Sequence, residues 1–224
     1  MLALLHTSPA HIPVFDALRD QDHPALELRH FVREELLAQA RVDGPRAVAD
    51  AVRALLADAV AQGASAVLCT CSTIGAVAEA QAQAEAATIG VPVLRVDRPM
   101  AAAAVATGPR IVVLATVEST LDPTVALVEE EARRAGRPVE VRTQVVEGAW
   151  DCFDAGDREG CTALVVTAVG AVRDADVVVL AQASMAPAAD RAVSVTRVPV
   201  LSSPRMGLRA AALRCGNTAA GGRR

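Results

Sequence analysis

Residues 66–73 read Ala-Val-Leu-Cys-Thr-Cys-Ser-Thr, and residues 178–185 read Val-Val-Leu-Ala-Gln-Ala-Ser-Met. Each is a short apolar run that breaks into small polar residues, and the first is followed by a helical pattern over Ile74–Ala87. A short apolar run bounded by turn-forming residues is the mark of a buried strand. Working outward, the same pairing recurs. LALLHTSP (2–9) has a counterpart in IVVLATVEST (111–120), ELRHFV (27–32) in VEVRTQVV (139–146), and VPVLRVDRP (91–99) in VPVLSSPR (198–205). The chain therefore reads as two copies of one unit.

Eight strands are expected: Leu2–Leu5, Leu26–Phe31, Ala66–Cys69, Pro92–Val96, Ile111–Ala115, Val139–Val146, Val177–Ala181 and Val198–Leu201. Helical patterns lie between them. The strongest is Pro45–Gln62, where Val48, Val52, Leu55, Leu56 and Val60 fall near one face and Gly63 supplies a stop. Others are Leu121–Ala135, Asp157–Val172 and Arg205–Cys215. Strands alternating with helices imply an α/β fold with mainly parallel four-stranded sheets covered on both faces. Lobe 1 is expected to comprise residues 1–97 plus 202–224, and lobe 2 residues 98–201, joined by the Ala-rich stretch 97–109; Gly216–Arg224 reads as a frayed tail. Ligands of such sheets bind at the C-terminal strand ends, so a cleft between the lobes is the expected active site.

Composition narrows the chemistry. The 224 residues are 52% hydrophobic and 2% aromatic, so the core must be aliphatic. All 22 basic residues are Arg, which removes the lysine needed for a pyridoxal phosphate Schiff base or a P-loop. A GC-rich genome produces the same bias, so the absence excludes mechanisms without proposing one. A net charge of −4 with few aromatics argues against nucleic acid as a partner. Five cysteines without a regular framework do not make a secreted disulfide scaffold, and no C-x-C partner pair stands at zinc spacing, so no metal site is expected. The N-terminus lacks a basic, apolar leader, and no run is long enough to span a membrane. A cytoplasmic location with reduced thiols is expected.

Cys71 follows a strand and opens a helical pattern. A thiol there meets free N–H groups and the positive end of the helix dipole, which favour a thiolate; the alternative is a small buried residue. Cys69, inside the strand, reads as buried. Ser8, Ser72, Thr73, Thr116, Ser119 and Thr120 occupy strand-end loops, where they either hold a carboxylate or cap helices. His6 ends strand one, and Glu118 follows the matching strand. Each is a candidate acid/base, against a hydrogen-bonded loop residue for His6 and a dipole-favoured carboxylate near a helix start for Glu118. His23 and His30 read as structural. Trp150, the only Trp, either packs in the core or lines the cleft. Glu129 to Glu131 with Arg133 and Arg134 form a solvated helix face.

The duplicated α/β pattern, the Thr70-Cys71-Ser72-Thr73 turn and the VVLAQASM segment resemble the aspartate/glutamate racemase superfamily across essentially the whole chain. That group includes aspartate, glutamate and hydantoin racemases, maleate isomerase and arylmalonate decarboxylase. The resemblance implies two pseudo-symmetric Rossmann/flavodoxin-like lobes, no cofactor, a small carboxylate-bearing substrate and proton transfer next to a carboxylate. In its racemases two cysteines, one per lobe, face opposite sides of the reacting carbon. The fold is often dimeric there, which leaves a homodimer open here.

The resemblance assigns the first-lobe cysteine to Cys71. At the second-lobe position this chain has Gln182, and a slip of one or two residues puts Ala183 or Ser184 there instead. None is a thiol. Gln182 is neither a useful acid nor a base near neutral pH, and is expected to serve as a polar wall or a donor to an enediolate-like intermediate. Three reactions stay open: α-proton transfer of the racemase type, single-thiol decarboxylation or cis–trans isomerisation, and carboxylate binding without catalysis. The family's decarboxylase keeps the second-lobe cysteine, whereas this chain keeps the first.

Overall fold

The computed structural model describes residues 1–221, with side chains through Cys215. The chain divides into two compact units, Met1–Val96 with Pro204–Arg224, and Asp97–Ser203.

Unit 1 carries β1 (Leu2–His6), α1 (Ile12–Asp22), β2 (Leu28–Val32), α2 (Glu34–Asp43), α3 (Ala49–Ala61), β3 (Ala66–Cys69), α4 (Ser72–Ala84), α5 (Ala86–Ile89) and β4 (Val93–Arg95). Its four strands form an all-parallel sheet in the order β2-β1-β3-β4. The central strands β1 and β3 are buried along their whole length. The alternation of a strand sends Ala3, Leu5, Val67 and Cys69 into one core with Val52, Leu56 and Ile74, and Leu2, Leu4, Ala66 and Leu68 into another with Phe15, Leu208 and Ala211.

Unit 2 repeats the plan with α6 (Arg98–Thr107), β5 (Arg110–Ala115), α7 (Leu121–Ala135), β6 (Glu140–Val145), α8 (Ala149–Asp154), α9 (Arg158–Ala171), β7 (Val177–Leu180), α10 (Ala186–Ala192) and β8 (Val200–Ser202); α11 (Ser203–Gly221) follows. Its sheet is again all-parallel, β6-β5-β7-β8. Val112, Leu114, Val178 and Leu180 pack against Val165, Val169, Met185 and Ala188. The edge strand β6 is mostly exposed on both faces, unlike the fully buried inner strand β7.

Several expected elements shift. The helix expected over Pro45–Gln62 is a 3-10 turn, Pro45–Val48, leading into α3, because Pro45 presets the entry turn. Gly63 does end it, in the left-handed region at φ 90°. The pattern read from Ile74 begins at Ser72 and breaks at Glu85. The stretch read as a join is the helix α6, in keeping with the helix propensity of its alanines. The backbone of α11 continues past Cys215 into the segment read as a tail, and residues 222–224 lie outside the described residues. No helix among the described residues is long and apolar enough to cross a membrane.

Candidate active site

The two sheets share one register, which aligns the repeat residue by residue. Leu5 on β1 pairs with Cys69 on β3, and Leu114 on β5 pairs with Leu180 on β7. The next backbone bonds also match: Thr70 N–H donates to the Leu5 carbonyl, and Ala181 N–H to the Leu114 carbonyl, both at 2.9 Å. Two residues beyond each strand, Cys71 and Gln182 fall on the same position. Both are extended residues capping the helical segment that follows, with φ/ψ of −104°/117° and −123°/143°. Ala183 and Ser184 lie one and two residues further, inside the 3-10 turn Ala183–Met185.

Cys71 caps α4 without spending its side chain on a capping hydrogen bond. It is 8% exposed, while Cys69 is fully buried and directs its Sγ to the Cys71 carbonyl. All five cysteines are free thiols. Ser72 and Thr73 form the first turn of α4 and are buried. Beneath that turn lies Arg95, 2% exposed, whose Nη2 donates to the Ser72 carbonyl at 3.3 Å and whose backbone N–H donates to Glu79 at 3.4 Å. Gly75 makes room for it: a Cβ there would sit 2.9 Å from the Arg95 Cβ.

On the other copy, Gln182 Oε1 accepts from the Thr116 N–H at 2.6 Å and from the Thr116 hydroxyl at 3.0 Å. Thr120 caps α7 through its backbone alone, its side chain making no capping bond. Its carbonyl accepts from the Thr124 hydroxyl. The Ser119 hydroxyl is buried and has no hydrogen-bond partner. Glu118 is exposed in the 3-10 turn Glu118–Thr120, at the start of the helical segment. Ser8 caps the 3-10 turn Pro9–His11, accepting from the Ala10 N–H at 3.3 Å. Trp150 stacks on Phe153 at 5.6 Å between ring centroids, in the segment that follows β6.

His6 does not stand open as an acid or base. It is fully buried, and both ring nitrogens are engaged, by Thr70 Oγ1 and by His30 Nδ1, each at 2.8 Å. Burial, then the neighbouring His11 and His30, lowers its pKa from 6.5 to about 3, so it is neutral near pH 7. His30, read as structural, is its hydrogen-bond partner. Arg95, Thr70 and Asp16 were missed altogether. The signal for Arg95 was a cation closing the otherwise apolar run Val93-Leu94; Thr70 and Asp16 had none. Among the described residues, no three His, Cys, Asp or Glu side chains come together as a metal site.

The fold matches several solved structures at low identity. Aspartate racemase from Picrophilus torridus is 13% identical with a TM-score of 0.72, covering 96% of this chain and 94% of that one. Glutamate racemase isoform RacE1 from Bacillus anthracis is 16% identical with a TM-score of 0.70, covering 97% and 82%. Unliganded arylmalonate decarboxylase is 21% identical with a TM-score of 0.63, covering 99% and 93%. No curated protein matches by sequence. Residues 11–211 match the family described as Asp/Glu/hydantoin racemase, a span that takes in Cys71, Gln182 and the loops around both, and the chain belongs to that family.

Proposed function

We propose that this protein is an enzyme that moves a proton, without a cofactor, at the carbon next to a carboxylate of a small amino acid or dicarboxylate. Cys71 is the acid/base or nucleophile. The observation that carries this is the Cys71 thiol itself: it caps a 13-residue helix at the C-terminal end of β3, uncommitted to capping. The thiolate takes the α-proton, the electron pair passes into the carboxylate as an enediolate, and the thiol returns the proton. The backbone N–H groups of the first turn of α4, with the hydroxyls of Ser8, Ser72, Thr73, Thr116, Ser119, Thr120 and Ser184 and the backbone at Ala183, are the carboxylate-binding candidates. Glu118 remains a candidate second acid.

A second reading is favoured by Gln182. With its carbonyl oxygen held by Thr116, Gln182 offers only an amide N–H, which stabilises an enediolate but delivers no proton. One thiol then suits decarboxylation of a substituted malonate: carbon dioxide leaves with its bond cleaved to the carbanion, and Cys71 protonates it from one face. Cis–trans isomerisation through Cys71 addition is the other single-thiol route.

The test is deuterium exchange at the α-carbon across small amino acids and dicarboxylates, alongside carbon dioxide release from substituted malonates and conversion of maleate. Cys71→Ala should lower the responding activity by about 10²- to 10⁴-fold. Equal rates in wild type and Cys71→Ala would remove Cys71 from the chemistry. Binding of a dicarboxylate without turnover of any would make the protein a carboxylate-binding member.

A further inference from the structure

The Cys71 copy of the repeat holds a chain of polar side chains that the other copy lacks, running from the buried Thr70 and His6 to the half-buried His30 and Asp16. The Thr70 hydroxyl lies within hydrogen-bond distance of two partners, the Leu5 carbonyl at 3.1 Å and His6 Nδ1 at 2.8 Å. The other His6 nitrogen, Nε2, is hydrogen-bonded to His30 Nδ1, also at 2.8 Å. His30 Nε2 faces Asp16 Oδ1 at 3.2 Å and meets a carboxylate only as a donor. Either His6 tautomer closes the chain: an Nδ1–H donates to Thr70, whereas an Nε2–H donates to His30 Nδ1 while the Thr70 hydroxyl donates to His6 Nδ1.

The shared register places Ala115 where the first copy has His6, Ala181 where it has Thr70 and Thr143 where it has His30. Counting from the helix starts at Ile12 and Leu121, Val125 stands where the first copy has Asp16. The second copy thus builds the same strands and turn with alanines. Burying an imidazole and a hydroxyl instead is costly unless every group is satisfied, so the fold does not call for them. What they surround is the residue before Cys71.

We propose that His6, oriented by His30 and Asp16, is a positioning residue that fixes the Thr70 hydroxyl and thereby the turn presenting the Cys71 thiol. The relay does not touch substrate. It holds the turn from one side while Arg95 holds the Ser72 carbonyl from the other. The inference rests on Cys71 being the working thiol of the proposed function.

Three measurements test it. Nitrogen-15 NMR should show His6 neutral and in a single tautomer, with both ring nitrogens hydrogen-bonded; a ring averaging between tautomers would overturn the relay. Iodoacetamide labelling followed by peptide mass spectrometry reads Cys71 without any substrate. Thr70→Val and His6→Leu should slow Cys71 labelling about 10-fold and leave Cys152 and Cys215 within about 2-fold, since only the environment of one thiol changes. Thr70→Ser and His6→Asn, which keep the hydroxyl and a hydrogen-bonding group near the Nδ1 position, should restore the rate. Wild-type labelling in every variant, or equal slowing at all three cysteines, would overturn the proposal. On a substrate that turns over, the first pair should lower kcat about 10-fold or more with KM little changed. If labelling follows this pattern and no substrate turns over, the relay stands and the proposed function falls.

Discussion

Thr116 donates twice to one oxygen of Gln182, from its backbone N–H and from its hydroxyl. Thr116 is 4% exposed, so neither donor has ready access to water. Gln182→Leu leaves both donors without this acceptor and should destabilise the protein by about 1–3 kcal/mol in urea unfolding. Gln182→Glu keeps an oxygen at the same point and should cost less. Equal losses would mean that the pair contributes little.

The alignment of Gln182 with Cys71 makes a sharper prediction about reaction outcome. Gln182→Cys puts a thiol at the second of the two matching positions. If wild type forms a single-handed product, the variant should form both hands, as chiral chromatography of the product would show. An unchanged product would mean that the second position does not reach the reacting carbon.

His6 links stability to pH. Its pKa is about 3 in the fold against 6.5 in an unfolded chain, so between those values the unfolded state binds the extra proton. The stability that goes with the neutral ring is fully present above pH 6.5 and is lost as pH falls, by about 1.4 kcal/mol per pH unit from this residue. His6→Gln should flatten the slope of unfolding free energy between pH 6 and 4 by about one proton relative to wild type. Parallel slopes would show that His6 protonates in the folded protein.

Two glycines lie where a methyl group has no room. At Gly207 on α11, a Cβ would come within 2.5 Å of the Val96 carbonyl oxygen, a backbone atom. At Gly75 the nearest atom is the Arg95 Cβ at 2.9 Å. Gly207→Ala should therefore be the more destabilising, by about 1–3 kcal/mol, while Gly75→Ala should also disturb Cys71 labelling. Thermal unfolding and the same alkylation assay separate the two effects.

The duplication was legible because four-residue runs such as AVLC and VVVL, buried on both faces, cannot be anything but central parallel strands between helices. The parallel sheets follow from that alternation, whereas the order of their strands comes from the structure. Short helices were not legible: α8 and α10 span six and seven residues, about two turns or fewer, too short for an apolar repeat to show, and such helices form through tertiary packing. At the site, position along the chain pointed to Cys71 and Gln182. Partnership did not show, because His6, Thr70, His30 and Asp16 come from four different elements and meet only through parallel strand pairing. His6 consequently looked available when it is sealed.

The exposed edge strand β6 has a consequence for handling the protein at high concentration. Its outer backbone groups are unpaired by β5, and a bare strand of Val, Thr and Gln is a template for stacking onto a second molecule. Glu140 and Arg142, both exposed, interrupt that template with charge. Charge on an edge opposes such stacking, and Arg142 serves the fold as well, its Nη2 donating to the Arg173 and Asp174 carbonyls at 2.6 and 2.8 Å.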